Sequence, residues 1–128
     1  MSEENKLGYK GDRVEISVDE SVTPLTIRLV GKIDDADPGV FMDPTLERIH
    51  ARIVVLGLTE VNADFSGLSF LNSSGIKSLI KWVMRQTELA EHQKYRINFL
   101  YSSRVTWQQT SLKALTYLAP KTVSAIPI

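Results

Sequence analysis

The chain has 128 residues, 43% of them hydrophobic, with 15 basic and 15 acidic side chains and no cysteine. That length and apolar content predict one globular domain with a real core, and exclude a disordered chain. A formal charge of zero removes the electrostatic argument for nucleic acid or an anionic membrane, and the missing cysteines exclude disulfides and thiolate metal sites.

The N-terminal stretch MSEENKLGYKGD is polar, so no signal peptide is expected. The longest apolar run elsewhere, IVVLGL at 53–58, is far too short for a membrane span. The expectation is a cytoplasmic protein with no membrane insertion. Residues 1–12 read as a tail or loosely attached strand, and residues 13–128 as the domain.

In chain order, RVEISV alternates with Val14, Ile16 and Val18 on one face, and LTIRLVGKI with Leu25, Ile27 and Leu29. A short turn-like link between two alternating runs predicts a hairpin. Residues 34–43 read as a loop. Asp43 and Pro44 then predict a helix start, with Asp as N-cap and Pro in the first turn. Leu46, Ile49 and Ile53 follow at helical spacing, and Gly57 is the stop signal.

Residues 60–66 alternate again, with Val61, Ala63 and Phe65 on one side. The next helix carries the clearest stripe in the chain: Ile76, Leu79, Ile80, Val83 and Met84, continued by Thr87 and Ala90. YRINFLY (95–101) predicts a strand. RVTWQQTSLKALTYLA predicts a helix with Val105, Leu112 and Leu115 inward, ended by Pro120, and TVSAI predicts a last strand. The order is ββαβαβαβ. It predicts an α/β domain whose mixed, mostly parallel sheet carries its helices mainly on one face.

Two adjacent hydroxyls, Ser73 and Ser74, precede Gly75 where a strand gives way to that second helix. Four chemistries suit them. As a nucleophile, the segment lacks the G-x-S-x-G elbow. Both histidines, His50 and His92, fall at or near predicted helices and read as exposed helix residues, so no base is in sight. As a phosphate cradle, NSSGIK matches neither G-x-x-x-x-G-K-[ST] nor G-x-G-x-x-G. As a cap, Asn72, Ser73 or Ser74 can accept a free helix N–H, worth about 1 kcal/mol. As a switch, a phosphate there is welcomed by the helix N-terminus and adds roughly −1.5 to −2 charges to a docking surface.

VNADFSGLSFLNSSGIKSLI resembles the signature of STAS domains, the family that includes bacterial anti-sigma factor antagonists. TIRLVGKID resembles that family's second strand and the turn after it. Element order agrees from about Arg13 to the C-terminus. The resemblance implies a STAS-like fold and a non-enzymatic, partner-switching signal transduction module in transcription regulation, without a cofactor. It implies that Ser73 is phosphorylated by a partner serine kinase that doubles as the anti-sigma factor, and that a phosphatase reverses this. Asn72, Ser74 and Gly75 would surround the phosphosite. Asn72 stands where the family usually has Asp: it still caps, but it lacks the anion a kinase would read. The alternatives are an unphosphorylated accessory subunit of a larger assembly, such as a transporter ATPase, or a small-ligand or nucleotide binder using the same helix N-terminus.

The expected partner-binding face joins Leu68, Ser69 and Leu71 to Ser78, Trp82 and Arg85 on the helix. Ser78, Trp82 and Arg85 lie over 100° from the centre of the apolar stripe, beside Leu89. They read either as an exposed interface strip or as ordinary packing against a neighbouring element. Asp34, Asp35 and Asp37 lack EF-hand spacing and read as a solvated turn, so no metal site is expected. Trp107 and Tyr117 read as packing residues, and RVTWQQ offers too little for a nucleic-acid surface.

Overall fold

The computed structural model describes residues 7–128. The hairpin forms as its alternation dictates. Strand β2 (Val14–Asp19) turns Val14, Ile16 and Val18 inward and pairs antiparallel with β3 (Leu25–Ile33). A two-residue strand, β1 (Tyr9–Lys10), adds to the outer edge of β2; residues 1–6 of the expected tail lie outside the described residues. Tyr9 also stacks on Phe41 at 4.4 Å between ring centroids.

The remaining strands lie parallel. β3 pairs with β4 (Glu60–Asp64), β4 with β6 (Arg96–Tyr101), and β6 with β7 (Val123–Pro127). β5 (Leu68–Leu71) was not foreseen from sequence. It pairs with the far half of β3, so β4 and β5 run along the same strand one after the other. The break between them is the turn at Phe65–Gly67. Gly31 makes this geometry possible: it sits at φ 112° where the register shifts, and its N–H donates to Gly67 O over 3.0 Å. A side chain there would collide with the Arg13 carbonyl.

Helix α1 (Gly39–Leu56) starts one turn earlier than the sequence predicts. The segment holds two Asp-Pro pairs, and the first, Asp37-Pro38, sets the start. Asp43 is therefore not the N-cap, and Pro44 lies inside the helix on its exposed side. Pro44 gives up a backbone hydrogen bond. Full burial of Met42 and Thr45 in the same turn offsets that loss. Gly57 ends the helix in the left-handed conformation, as expected.

Helix α2 (Ser73–Thr87) buries Leu79 and Val83 as its stripe predicts, but its inward face is centred elsewhere. Ser78, Trp82 and Gln86, spaced four apart, all face inward, whereas Met84 stays 41% exposed and Ala90 lies past the helix end. The reason is packing of α2 against α1 as well as the sheet, which buries a second strip. Helix α3 (Thr106–Leu115) is shorter than expected and stops well before Pro120. Leu112 and Leu115 face the core, but Tyr117, read as a packing residue, falls in the turn after the helix and is 78% exposed. The helices pack mainly on one face of the sheet. No helix among the described residues is long and apolar enough to cross a membrane.

Candidate functional site

The site is the junction of β5 and α2. Asn72 is the N-cap in extended conformation, and its Oδ1 accepts the Gly75 N–H over 2.8 Å. Its backbone carbonyl accepts from Ile76 N at 3.1 Å. The cap role thus falls on one residue of the three candidates. Ser73 is left exposed and Ser74 half-buried, and neither hydroxyl nor backbone N–H of the pair has a hydrogen-bond partner among the described residues. Four further contacts show that the loop leading into this helix is held rigidly rather than left free.

The first contact is the other end of Asn72. Its Nδ2 donates to Asp35 O over 2.7 Å, tying the loop before α1 to the start of α2. An ionised aspartate has no proton to donate in this way. The amide at this position therefore makes a bond that an ionised carboxylate cannot. Asp34, in the same loop, pairs with Arg13 at 2.6 Å.

The second and third come from Gln108, a fully buried residue of α3. Its Nε2 donates to both Phe65 O (2.7 Å) and Leu68 O (2.8 Å), while its Oε1 accepts from Ser102 N at 2.7 Å. Both N–H groups of this amide and its oxygen are engaged with backbone. The fourth is Trp107, whose indole N–H donates to Ser69 O over 2.9 Å. Trp107 packs on the core as expected and also fixes the site loop. Nothing in the sequence marks Gln108: a glutamine on a weakly striped helix looks like surface.

The expected contact residues divide. Leu68 and Leu71 point into the core, because β5 pairs with β3 and turns them under the sheet. Ser69 and Arg85 are exposed. Ser78 and Trp82 are buried, with Trp82 only 3% exposed, so the exposed-strip reading fails there and packing is correct. The missed residue is Phe70, 47% exposed beside Ser69 and opposite Lys32 on β3. Strand alternation would not have found it, because β5 breaks the period: Leu68 and Leu71 are buried and the two residues between them are exposed.

Behind α2 lies a second polar cluster. The Trp82 indole N–H donates to Tyr95 Oη over 2.8 Å, and Tyr95 Oη is 2.7 Å from His50 Nδ1. His50, expected on the surface, is buried between α1 and this chain. Burial, helped by the Arg85 cation and opposed by Glu47, pushes its imidazole below the ordinary 6.5. Burial likewise raises the Tyr95 phenol well above its usual range. His92 lies exposed in the 3-10 turn Glu91–Gln93. Neither histidine is bonded to a serine of the site. Among the described residues no group of three or more acidic or histidine side chains is placed to hold a metal.

No protein-family model matches the sequence, and no curated protein matches it significantly. Solved structures do match the fold. An anti-sigma factor antagonist from Mycobacterium paratuberculosis aligns with a TM-score of 0.57 at 19% identity, over 90% of this chain and 88% of that one. The fold is STAS-like. The complex of the diguanylate cyclase SiaD with its activator SiaC, from Pseudomonas aeruginosa, contains a chain that aligns with a TM-score of 0.64 at 11% identity, over 94% of this chain and 98% of its own. In this STAS-like domain the junction of β5 and α2 is built from LNSSG, the segment whose sequence resembles the STAS signature.

Proposed function

We propose that the chain is a non-enzymatic regulatory module that binds a protein partner at the junction of β5 and α2, and that phosphorylation of Ser73 weakens this binding. The observation that carries it is the state of Ser73: an exposed hydroxyl with no internal partner, on the first turn of a helix, at the end of a loop held in place by Asn72, Trp107 and Gln108. A rigid loop binds without ordering cost. A helix N-terminus accepts added negative charge without unfolding. Ser69, Phe70 and Ser73 lie on the exposed part of that loop, with Phe70 as its apolar element.

Both structural neighbours are named for acting on another protein, one as an antagonist of an anti-sigma factor and one as an activator of a cyclase. That supports a protein partner. The resemblance in sequence makes the partner a serine kinase with anti-sigma activity, with a phosphatase to reset the switch, in the cytoplasm. The test is affinity capture from the native cells with wild type, Ser73→Ala and Ser73→Asp, alongside intact mass with site mapping. Wild type and Ser73→Ala retain the same partner and Ser73→Asp loses it; equal capture by all three would defeat the proposal.

A second reading has one observation in its favour. Asn72 removes the carboxylate beside Ser73, and its amide is engaged structurally. An accessory subunit that is never phosphorylated would look the same. A stable complex together with an unmodified mass under all growth conditions selects this reading.

A further inference from the structure

A cavity lies away from Ser73 and Ser74. It is a half-open groove of about 350 Å³ between α1 and α2, lined by Asp43, Leu46, Glu47 and His50 on one side and by Ser78, Lys81, Trp82 and Arg85 on the other. Leu46 and Trp82 give it an apolar wall, and Ser78 and His50 are its buried polar residues.

The protonation of that histidine follows from its neighbours. Tyr95 Oη already accepts the Trp82 indole N–H, and its own proton has one acceptor within reach, His50 Nδ1. An indole nitrogen can only donate, and a phenol has a single proton to give. The chain therefore runs Trp82 to Tyr95 to His50. The neutral imidazole carries its proton on Nε2. This nitrogen has no partner among the described residues, although His50 as a whole is only 7% exposed. It is also not sealed from solvent. The groove thus has, beside Leu46 and Trp82, one fixed hydrogen-bond donor with no protein partner among the described residues. Water in the groove is what is left to accept from it, and a ligand acceptor can take the place of that water.

The rim says what charge the ligand carries. Lys81 is paired with Asp43 at 2.8 Å and Arg85 with Glu47 at 3.4 Å. Both cations are matched, and Glu88 adds a further acid. An anion meets no surplus positive charge. A cation meets a donor at the floor. A volume of about 350 Å³ lies at the small end of ligand pockets, so the molecule is a compact ring compound.

We propose that the groove between α1 and α2 is a binding site for a small uncharged ring compound that presents one carbonyl or ring-nitrogen acceptor to His50 Nε2 and lays its apolar body against Leu46 and Trp82. The site is separate from the serine junction, and it stands whether or not Ser73 is ever modified.

The test uses three probes of one size on the full chain: benzamide (neutral, carbonyl acceptor), benzoate (anion) and benzylamine (cation, no acceptor). Long-range proton–nitrogen spectra of the imidazole nitrogens and the Trp82 indole report on the floor directly. Benzamide is expected to shift His50 Nε2 saturably and to bind at least several-fold tighter than either charged probe. His50→Phe keeps the ring shape and removes the donor, so it should lose benzamide binding. Because that change strands the Tyr95 proton, Glu47→Trp, which closes the groove from its exposed rim, serves as a second variant and should also abolish the shift. No saturable shift of the wild-type imidazole by benzamide overturns the site. Tighter binding of benzoate or benzylamine overturns the ligand class.

Discussion

The side-chain amide of Asn72 donates to the backbone carbonyl of Asp35 while its oxygen caps helix α2, so one residue joins two loops that are 37 positions apart. The two halves of the amide are separable by mutation. Asn72→Asp keeps the cap and loses the donor, setting an anion against a carbonyl oxygen. A net loss of about 1 kcal/mol is expected at pH 7. Urea unfolding of wild type and variant at pH 7 checks this, with Asn72→Ala, which removes both halves of the amide, as the comparison; a variant Asn72→Asp as stable as wild type contradicts the donor role.

Gln108→Leu preserves the volume of the side chain and leaves the carbonyls of Phe65 and Leu68 and the Ser102 N–H without their partner. A destabilisation of about 3 kcal/mol is expected. Amide exchange should quicken first over residues 65–71. Uniform quickening across the whole domain would mean that Gln108 supports the core rather than the loop.

Gly31→Ala tests the backbone at the bulge. Its φ of 112° is unfavourable for any side chain, and the added carbon meets the Arg13 carbonyl. The expected cost is at least about 3 kcal/mol. Gly57→Ala is the internal comparison, since the left-handed turn there has open space around it and incurs only the conformational penalty, about 1 kcal/mol. Equal losses at the two sites would remove the steric argument for Gly31.

His50 makes stability depend on pH in a defined direction. Its folded-state pKa is lowered from 6.5, by burial first and then by Arg85. The unfolded chain therefore takes up a proton more readily, and stability falls as pH drops below about 6.5. The stabilisation is fully present above that value. The lowered carboxylates Glu20 and Asp43 start from 4.5 and 3.8, so their losses come at lower pH. Unfolding midpoints at pH 7.5, 6.5 and 5.5 should decline for wild type. His50→Gln offers Tyr95 a non-titrating acceptor and should flatten that decline. An undiminished slope in the variant would assign the effect elsewhere.

Much of the fold could be read in advance because strands with one buried face declare themselves by alternation. Val14, Ile16 and Val18, and Leu25, Ile27 and Leu29, point where the pattern puts them. Helix faces were less legible. Ser78, Trp82 and Gln86 are buried by α1 and by neighbours distant in sequence, and two of these three residues are polar, so no apolar stripe marks them. The start of α1 was misread because Asp43-Pro44 and Asp37-Pro38 carry the same local signal; burial of Met42 decides between them. At the site, position and cap were visible in NSSG. The second bond of Asn72 and the role of Gln108 were not, since both depend on carbonyls that only tertiary structure brings close.

The dependence of the site loop on Gln108 also has a temporal side. The loop lies near the middle of the chain, yet the side chain that fixes it belongs to a helix some 40 residues later. As a ribosome delivers the chain from its N-terminus, β3, β5 and α2 emerge with their pairing and both bonds of Asn72 available, but before the residue that holds the Phe65 and Leu68 carbonyls. A half-made domain can therefore form the helix start that carries the two serines while the turn before β5 still lacks its last ties. The junction reaches its final rigidity once α3 has been made.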